Sequence, residues 1–202
     1  MASKNQALES AKKYIFVMAF AGMFILGVFM MIARPWKNTS DEENIKLTNL
    51  QKILTDNYDV NYPENPRLVA DKYCAIMKAF YGETYSKEEF RKMVEQLIKL
   101  YDEEFLALQT DYASTMEADV SQKMTDGYSI SAYVIPDTDT DVSYFTQDGR
   151  NCAGMDLKFS IRNGTRTDEV FYTMIFRQEK ETGRWKILGW QISNNQQTNL
   201  IG

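Results

Sequence analysis

The hydrophobic period of this chain changes near residue 128, and that change limits the folds that the chain can adopt. Before this point apolar residues recur every three or four positions, as they do on one face of a helix. After it they recur at every second position, as they do in strands. A run of helices followed by a run of strands is typical of an α+β domain, in which helices cover one face of an antiparallel sheet.

Three helices are predicted in the first part of the chain, one ending near residue 57, one over residues 65–82 and one over residues 86–108. The second has a favourable N-cap and a proline at its first position, and the third begins with a capping box. Residues 111–125 are polar and only weakly helical, so the pattern does not give the ends of a helix there.

The second part of the chain predicts an antiparallel meander of four or five strands separated by turns. Alternation is clearest in MDLKFSIR, where every second side chain is apolar and the others are polar or charged. The predicted strands cover residues 128–135, 142–146, 155–162, 169–177 and the final stretch near 185–192.

The final strand, GRWKILGWQIS, has apolar residues at both odd-numbered and even-numbered positions. In a regular strand Trp185 and Ile187 lie on one face, and Leu188, Trp190 and Ile192 lie on the other. The helices can cover only one of these faces. We therefore expect the second face to meet a second subunit, another segment of the chain or the part near the membrane.

The segment Ile15–Ala33 is a predicted membrane anchor. It contains 19 residues without a charge, and a helix of this length spans roughly 28 Å, close to the hydrocarbon thickness of a bilayer. A cleaved signal peptide is the alternative, but the segment is longer than a typical signal core and no Ala-x-Ala site follows it. The sequence therefore favours a single-pass protein of the cell membrane.

Charge sets the predicted orientation and the domain boundaries. Residues 1–14 carry three lysines and one glutamate, whereas the rest of the chain has 20 basic and 27 acidic residues. The positive-inside rule then predicts a cytoplasmic tail at 1–14 and an extracytoplasmic C-terminal part. The expected organisation is a linker over 34–41, a folded domain over 42–195 and a tail over 196–202.

Composition excludes several classes of function. The chain contains no histidine, which removes Ser-His-Asp and Cys-His catalysis and metal sites with histidine ligands. A negative net charge in the folded part repels phosphate backbones, so nucleic-acid binding is not expected. We expect no cofactor, and the sequence leaves open whether the protein is an enzyme.

The order of helices before strands and the motif G-x-W-K-I-x-x-W at Gly183–Trp190 resemble the nuclear-transport-factor-2-like superfamily. The resemblance implies a cone-shaped domain with a curved sheet, an internal pocket and an outer sheet face that often forms dimers. Similar arrangements with a membrane anchor occur in assembly subunits of type IV secretion machines and in uncharacterised membrane-anchored proteins of Gram-positive bacteria. This chain resembles the second group more closely.

Aromatic side chains of the predicted helices and strands are candidates for the lining of such a pocket, although a plain core role is open for each of them. Carboxylates on the helices could provide its polar contacts. The candidates are Tyr73, Phe80, Tyr101, Phe105, Tyr172, Trp185 and Trp190.

Two other local patterns favour structural roles. Asp137, Asp139 and Asp141 occupy alternate positions as in a calcium loop, but the glycine that such a loop requires is absent and the flanking segments are strands. They remain weak metal candidates beside the simpler interpretation of a solvated loop. Cys74 and Cys152 can be buried thiols or a disulfide, and a reactive thiol is poorly supported because no histidine can activate it.

Two functions follow from these observations. The first is a membrane-anchored interaction or scaffold domain without catalysis, with a protein partner or a second copy bound through the sheet face. The alternative is a pocket that binds or isomerises a small apolar molecule. The alternative predicts a cavity that contains a carboxylate with a raised pKa beside a tyrosine hydroxyl.

Overall fold

The computed structural model describes residues 47–193. The predicted anchor at Ile15–Ala33, the tails at 1–14 and 196–202 and the linker at 34–41 lie outside the described residues. Within 47–193, none of the helices combines the length and apolar character that a bilayer crossing needs. The elements are α1 Asn49–Thr55, α2 Pro66–Gly82, α3 Lys87–Leu100, α4 Glu103–Ala107, α5 Tyr112–Thr125, β1 Tyr128–Val134, β2 Ser143–Gln147, β3 Arg150–Asn163, β4 Arg166–Gln178 and β5 Trp185–Ile192.

Local capping signals fix the starts of the two long helices. The side chain of Asn65 accepts a hydrogen bond from the backbone N–H of Leu68 at 2.9 Å, and Pro66 takes the first helical position of α2. Ser86 and Glu89 form the expected capping box at the start of α3. These starts were predicted from the sequence and are confirmed.

The described residues form five α-helices, whereas the sequence predicts three. The predicted third helix is interrupted because Tyr101 adopts an extended conformation and forms an isolated bridge with Ile187. The N–H of Asp102 then donates to the carbonyl of Ile187 at 2.9 Å, and its side chain caps α4. The polar segment 111–125 supplies the fifth helix, α5, which is anchored by the buried side chains of Met116 and Val120.

The sheet is open and antiparallel, with the order β1-β3-β4-β5, and β2 also pairs with β3. Positive φ angles at Asp148 and Gly149 allow the tight turn between β2 and β3. The predicted strands and their antiparallel pairing are confirmed. The meander holds for β2 to β5 only, because β1 pairs with β3 and not with β2. The cone shape stays a prediction, because the sheet of the described residues is not closed.

A β-bulge in β5 explains why its apolar residues occupy both odd-numbered and even-numbered positions. Ile187 pairs with Phe176 and Trp190 pairs with Met174, with a register shift between the two pairs. Phe176 and Met174 lie two apart on β4 and therefore share a face, so Ile187 and Trp190 share that face as well. The expectation of opposite faces is wrong, because one inserted residue reverses the parity.

The core lies between this sheet face and the helices. Phe80, Leu97, Leu100, Phe176 and Ile187 are completely buried there. The bulge therefore places two apolar parts of β5 on the helices and does not require a second covering surface.

Candidate functional site

A cavity of about 390 Å³ lies between α2, α5 and the helix-facing side of the sheet. Its walls come from α2, α5 and every strand except β2. The volume lies within the range of about 300–1,000 Å³ that is usual for ligand pockets. We therefore treat this cavity as the candidate functional site.

The apolar walls follow directly from the periods of the elements. Tyr73, Met77 and Tyr81 are four residues apart on α2, so they form one stripe that faces the cavity. Leu157 on β3 is directly opposite Tyr172 on β4, and the two share a face. The helix and strand periods thus direct these side chains to one cavity.

The polar groups of the cavity are concentrated where α5 approaches α2. The hydroxyl of Tyr81 donates a hydrogen bond to Oδ2 of Asp119 at 2.6 Å. Burial, and next the bond to Asp119, raise the pKa of Tyr81 well above its ordinary value. The hydroxyl therefore stays protonated at neutral pH and keeps donating to the carboxylate.

Lys123 and Ser129 complete this polar end. Lys123 lies one helical turn after Asp119 on α5, and its Nζ is 5.5 Å from the ring centroid of Tyr128. That distance is within the range of a cation–π contact. One carboxylate and one ammonium group thus lie at the same end of a largely apolar cavity.

A layer of aromatic rings supports Trp190 from the helix side. Its ring centroid lies 5.6 Å from that of Tyr73, 5.1 Å from Phe105 and 6.0 Å from Tyr101. The hydroxyls of Tyr101 and Tyr112 are 2.8 Å apart, which ties this layer to α5. Burial raises the pKa of Tyr73 and of Tyr101, so both rings remain neutral.

The structure divides the aromatic residues that the sequence singled out. Tyr73, Tyr172 and Trp190 line the cavity. Tyr101 and Phe105 lie behind Trp190.

The remaining two candidates pack elsewhere. Phe80 packs on Tyr85 and Phe90, with ring centroids 6.3 and 5.0 Å away. Trp185 packs edge-on against Tyr144 at 5.8 Å. Neither is among the side chains that line the cavity.

The sequence predicted carboxylates from the helices as polar contacts of a pocket, but it did not identify the residues that provide them. Tyr81 continues the four-residue spacing of Tyr73 and Met77, so its position was available from the pattern. Asp119 and Lys123 lie in the weakly helical segment, where no period indicated which face would be covered. Their proximity to Tyr81 follows only from the packing of α5 on α2.

The aspartates of the β1–β2 connection contribute to local structure. Asp139 and Asp141 lie in a single 3-10 turn, and Asp139 forms an ion pair of 3.4 Å with Arg67. Within residues 47–193 no three acidic, cysteine or histidine side chains come together as a metal site would require. Cys74 and Cys152 are both free and buried, and burial raises the pKa of the Cys74 thiol.

A buried ion pair fixes the interrupted region between α3 and α4. Both guanidinium Nε and Nη2 of Arg177 bind the carboxylate of Asp102, and Nη1 lies 3.0 Å from Glu104. Asp102 is 2% exposed and Arg177 is 9% exposed. The hydrogen bonds to Asp102 raise the pKa of Arg177, so the guanidinium group stays charged. It holds the chain at the point where Tyr101 meets β5.

A family model described as a domain of unknown function, DUF6715, matches residues 1–190. The chain belongs to this family. No curated protein matches the DUF6715 chain.

The solved structures that are distantly similar to this chain include the following two. One is CagV, a VirB8 homologue of the T4SS of Helicobacter pylori strain 26695, with 16% identity, a TM-score of 0.37 and coverage of 62% of this chain and 96% of CagV. The other is the intermembrane space region of the chloroplast protein ARC6, with 13% identity, a TM-score of 0.31 and coverage of 64% and 98%.

Proposed function

We propose that the described domain is a binding domain that holds a small, mainly apolar molecule in the cavity between α2, α5 and the sheet. The observation that carries this proposal is the cavity of about 390 Å³ with apolar walls and a few polar groups gathered at one end. Ligand pockets typically combine these two properties, because apolar walls provide affinity and a few polar groups fix the orientation. The proposal concerns binding and makes no claim of catalysis.

The polar end supports this proposal, because it contains a carboxylate beside a tyrosine hydroxyl. Asp119 lies beside the hydroxyl of Tyr81 within the cavity lining. A bound molecule can place its polar atoms there while its apolar part contacts Leu157, Phe159 and Tyr172.

We further propose that Ile15–Ala33 anchors this domain in the cell membrane with the N-terminus in the cytoplasm and the domain outside. The support is the uncharged segment of 19 residues and the excess of lysines before it. The ligand would then come from the extracytoplasmic side or from the membrane itself. Labelling of single introduced cysteines at residues 5 and 180 with an impermeant reagent in intact cells tests this topology, because only the second site should react.

Native mass spectrometry of the full-length protein, purified in detergent from its own host, tests the binding function. We expect an added small mass that differs from the detergent. Met77→Trp fills part of the cavity from α2 and should abolish the added mass, whereas Met124→Trp, an identical change at an exposed position of α5, should retain it. A bare protein, or the same added mass in the Met77→Trp variant, would refute the proposal.

A second candidate function is binding of a protein partner or a second copy of the chain through the sheet. Val134, Tyr144 and Phe145 on β1 and β2 expose large apolar surfaces, 53%, 54% and 40% of each residue. Both strands pair only with β3 in the described sheet, so each has an unpaired edge, and proteins normally cover such edges.

Crosslinking in intact membranes tests this second function. A photo-reactive residue at position 145 should give one discrete adduct, and the same residue at the exposed position 60 should give none. Equal crosslinking from both positions would exclude a specific contact through this edge.

A further inference from the structure

The cavity presents a carboxylate that is held in place and still has acceptor capacity. Oδ2 of Asp119 accepts the hydroxyl of Tyr81 at 2.6 Å. Among residues 47–193, Oδ1 of Asp119 has no hydrogen-bond partner. An ionised carboxylate offers about four acceptor sites. Asp119 can therefore accept hydrogen bonds from a ligand without losing its bond to Tyr81.

The aromatic rings that line the cavity favour a cation over an anion. Six of the side chains that line the cavity are aromatic, and their faces attract positive charge. The aromatic members are Tyr73, Tyr81, Tyr128, Phe159, Tyr172 and Trp190. The position of Lys123 illustrates this property, because its ammonium group lies 5.5 Å from the centroid of Tyr128.

The field of the whole domain acts in the same direction. Residues 47–193 contain 17 basic and 24 acidic residues, a net charge of −7. A domain of this charge raises the local concentration of cations and lowers that of anions. An anionic head group would meet both this field and the fixed carboxylate of Asp119.

We propose that the ligand is an amphipathic primary amine whose apolar body occupies the cavity and whose ammonium group binds Asp119. This inference rests on the proposed binding function and names the chemical class of its ligand. The ammonium group donates to Oδ1 of Asp119, forming a charge-assisted hydrogen bond beside the hydroxyl of Tyr81. The apolar body replaces water along the walls formed by β3 and β4.

Lys123 acts as a built-in competitor in this arrangement. It lies one turn from Asp119, and within the described residues it makes no ion pair. Its ammonium group lies over the ring of Tyr128, which is one of the positions that a ligand cation would use. Removal of this charge should therefore strengthen the binding of an amine and weaken the binding of an anion.

Isothermal titration of the full-length protein in a nonionic detergent, with detergent-only titrations subtracted, provides the test. The probes are naphthylethylamine, naphthylethanol and naphthylpropanoate, which share one apolar body and differ in the charge of the head group. We expect the amine to bind about tenfold more tightly than the alcohol, and the carboxylate to bind most weakly.

Four variants give the assignment of roles. Asp119→Asn keeps an acceptor for Tyr81 and should reduce the preference for the amine over the alcohol to about threefold or less. Glu117→Gln removes the same charge from α5 outside this cavity and should leave the preference intact. Lys123→Met should tighten amine binding about two- to fivefold, whereas Lys87→Met, on α3 outside the cavity, should not.

The outcomes separate the inference from the proposed function. Equal affinities for the amine and the alcohol, or an unchanged preference in Asp119→Asn, would overturn the amine class and leave the pocket function standing. Tighter binding of the carboxylate, with loss of affinity in Lys123→Met, would also overturn it. If none of the three probes binds the unmodified protein, both the inference and the proposed function fail.

Discussion

Replacing Asp102 with alanine removes the carboxylate that connects the start of α4 to Arg177 on β4. The change eliminates both hydrogen bonds from Arg177 and the cap on the backbone N–H of Glu104. It also leaves a guanidinium group with a side-chain exposure of 10% beside Glu104, which is 64% exposed and largely solvated. The expected result is a large loss of stability without loss of the elements that form locally.

The magnitude follows from the burial of both partners. Breaking a buried ion pair by removing one partner costs about 3–5 kcal/mol, because an uncompensated charge remains buried. Loss of a helix cap contributes about 1 kcal/mol of the same effect. With a denaturant dependence of about 2 kcal/mol per molar urea, the midpoint of unfolding should fall by about 1.5–2.5 M.

Urea unfolding of the full-length protein, followed by tryptophan fluorescence, measures this shift. Asp168→Ala is the matched control, because its ion pair with Arg166 is exposed and should contribute less than about 1 kcal/mol. Replacement of both buried partners, Asp102→Leu with Arg177→Met, should recover most of the lost stability, because no charge is left unpaired. A loss below about 1 kcal/mol for Asp102→Ala, or a double variant as unstable as the single one, would refute the reasoning.

Three further results are expected. Burial raises the pKa of Tyr73 and Tyr101 above the value of about 10 that tyrosine has in an unfolded chain. The free energy of unfolding should therefore be fully present below about pH 10 and decline as the pH rises above it, and an unchanged urea midpoint at pH 11 would contradict this. Cys74 and Cys152 are buried, so a thiol reagent at pH 8 should label them only in urea, and rapid labelling of the native protein would contradict their placement. Phe176 is fully buried, so Phe176→Ala should lower the free energy of unfolding by about 3–5 kcal/mol. A loss below about 1 kcal/mol in the same urea assay would contradict this, because it would mean that neighbouring side chains fill the space left by the ring.

The sequence determined the elements that depend on neighbours along the chain. The start of α2 at Pro66 depends on Asn65, and the start of α3 depends on Ser86 and Glu89, all within four residues. The alternation over residues 155–162 likewise gave the inward face of β3, where Met155, Leu157 and Phe159 are buried. These signals are local, and the order of helices before strands gave the α+β class.

The candidate site could be predicted only in part. The stripe of Tyr73 and Tyr81 follows from helical spacing, and Tyr172 follows from strand alternation. The pairing of Tyr81 with Asp119 could not be predicted, because 38 residues separate them and α5 carries no strong period. The chemistry of the cavity therefore depends on a contact that only packing creates.

Tertiary structure alone decided where regular patterns are interrupted. The apolar period of the predicted third helix continues past Tyr101, but pairing with Ile187 and the ion pair between Asp102 and Arg177 turn the chain there. In β5 the sequence specified which residues are apolar, and the bulge beside Ile175 decided that Ile187 and Trp190 face the same side. The physical reason is common to both cases: a bridge or a bulge is stabilised by hydrogen bonds to a distant strand, and a pattern read along one segment contains no information about that partner.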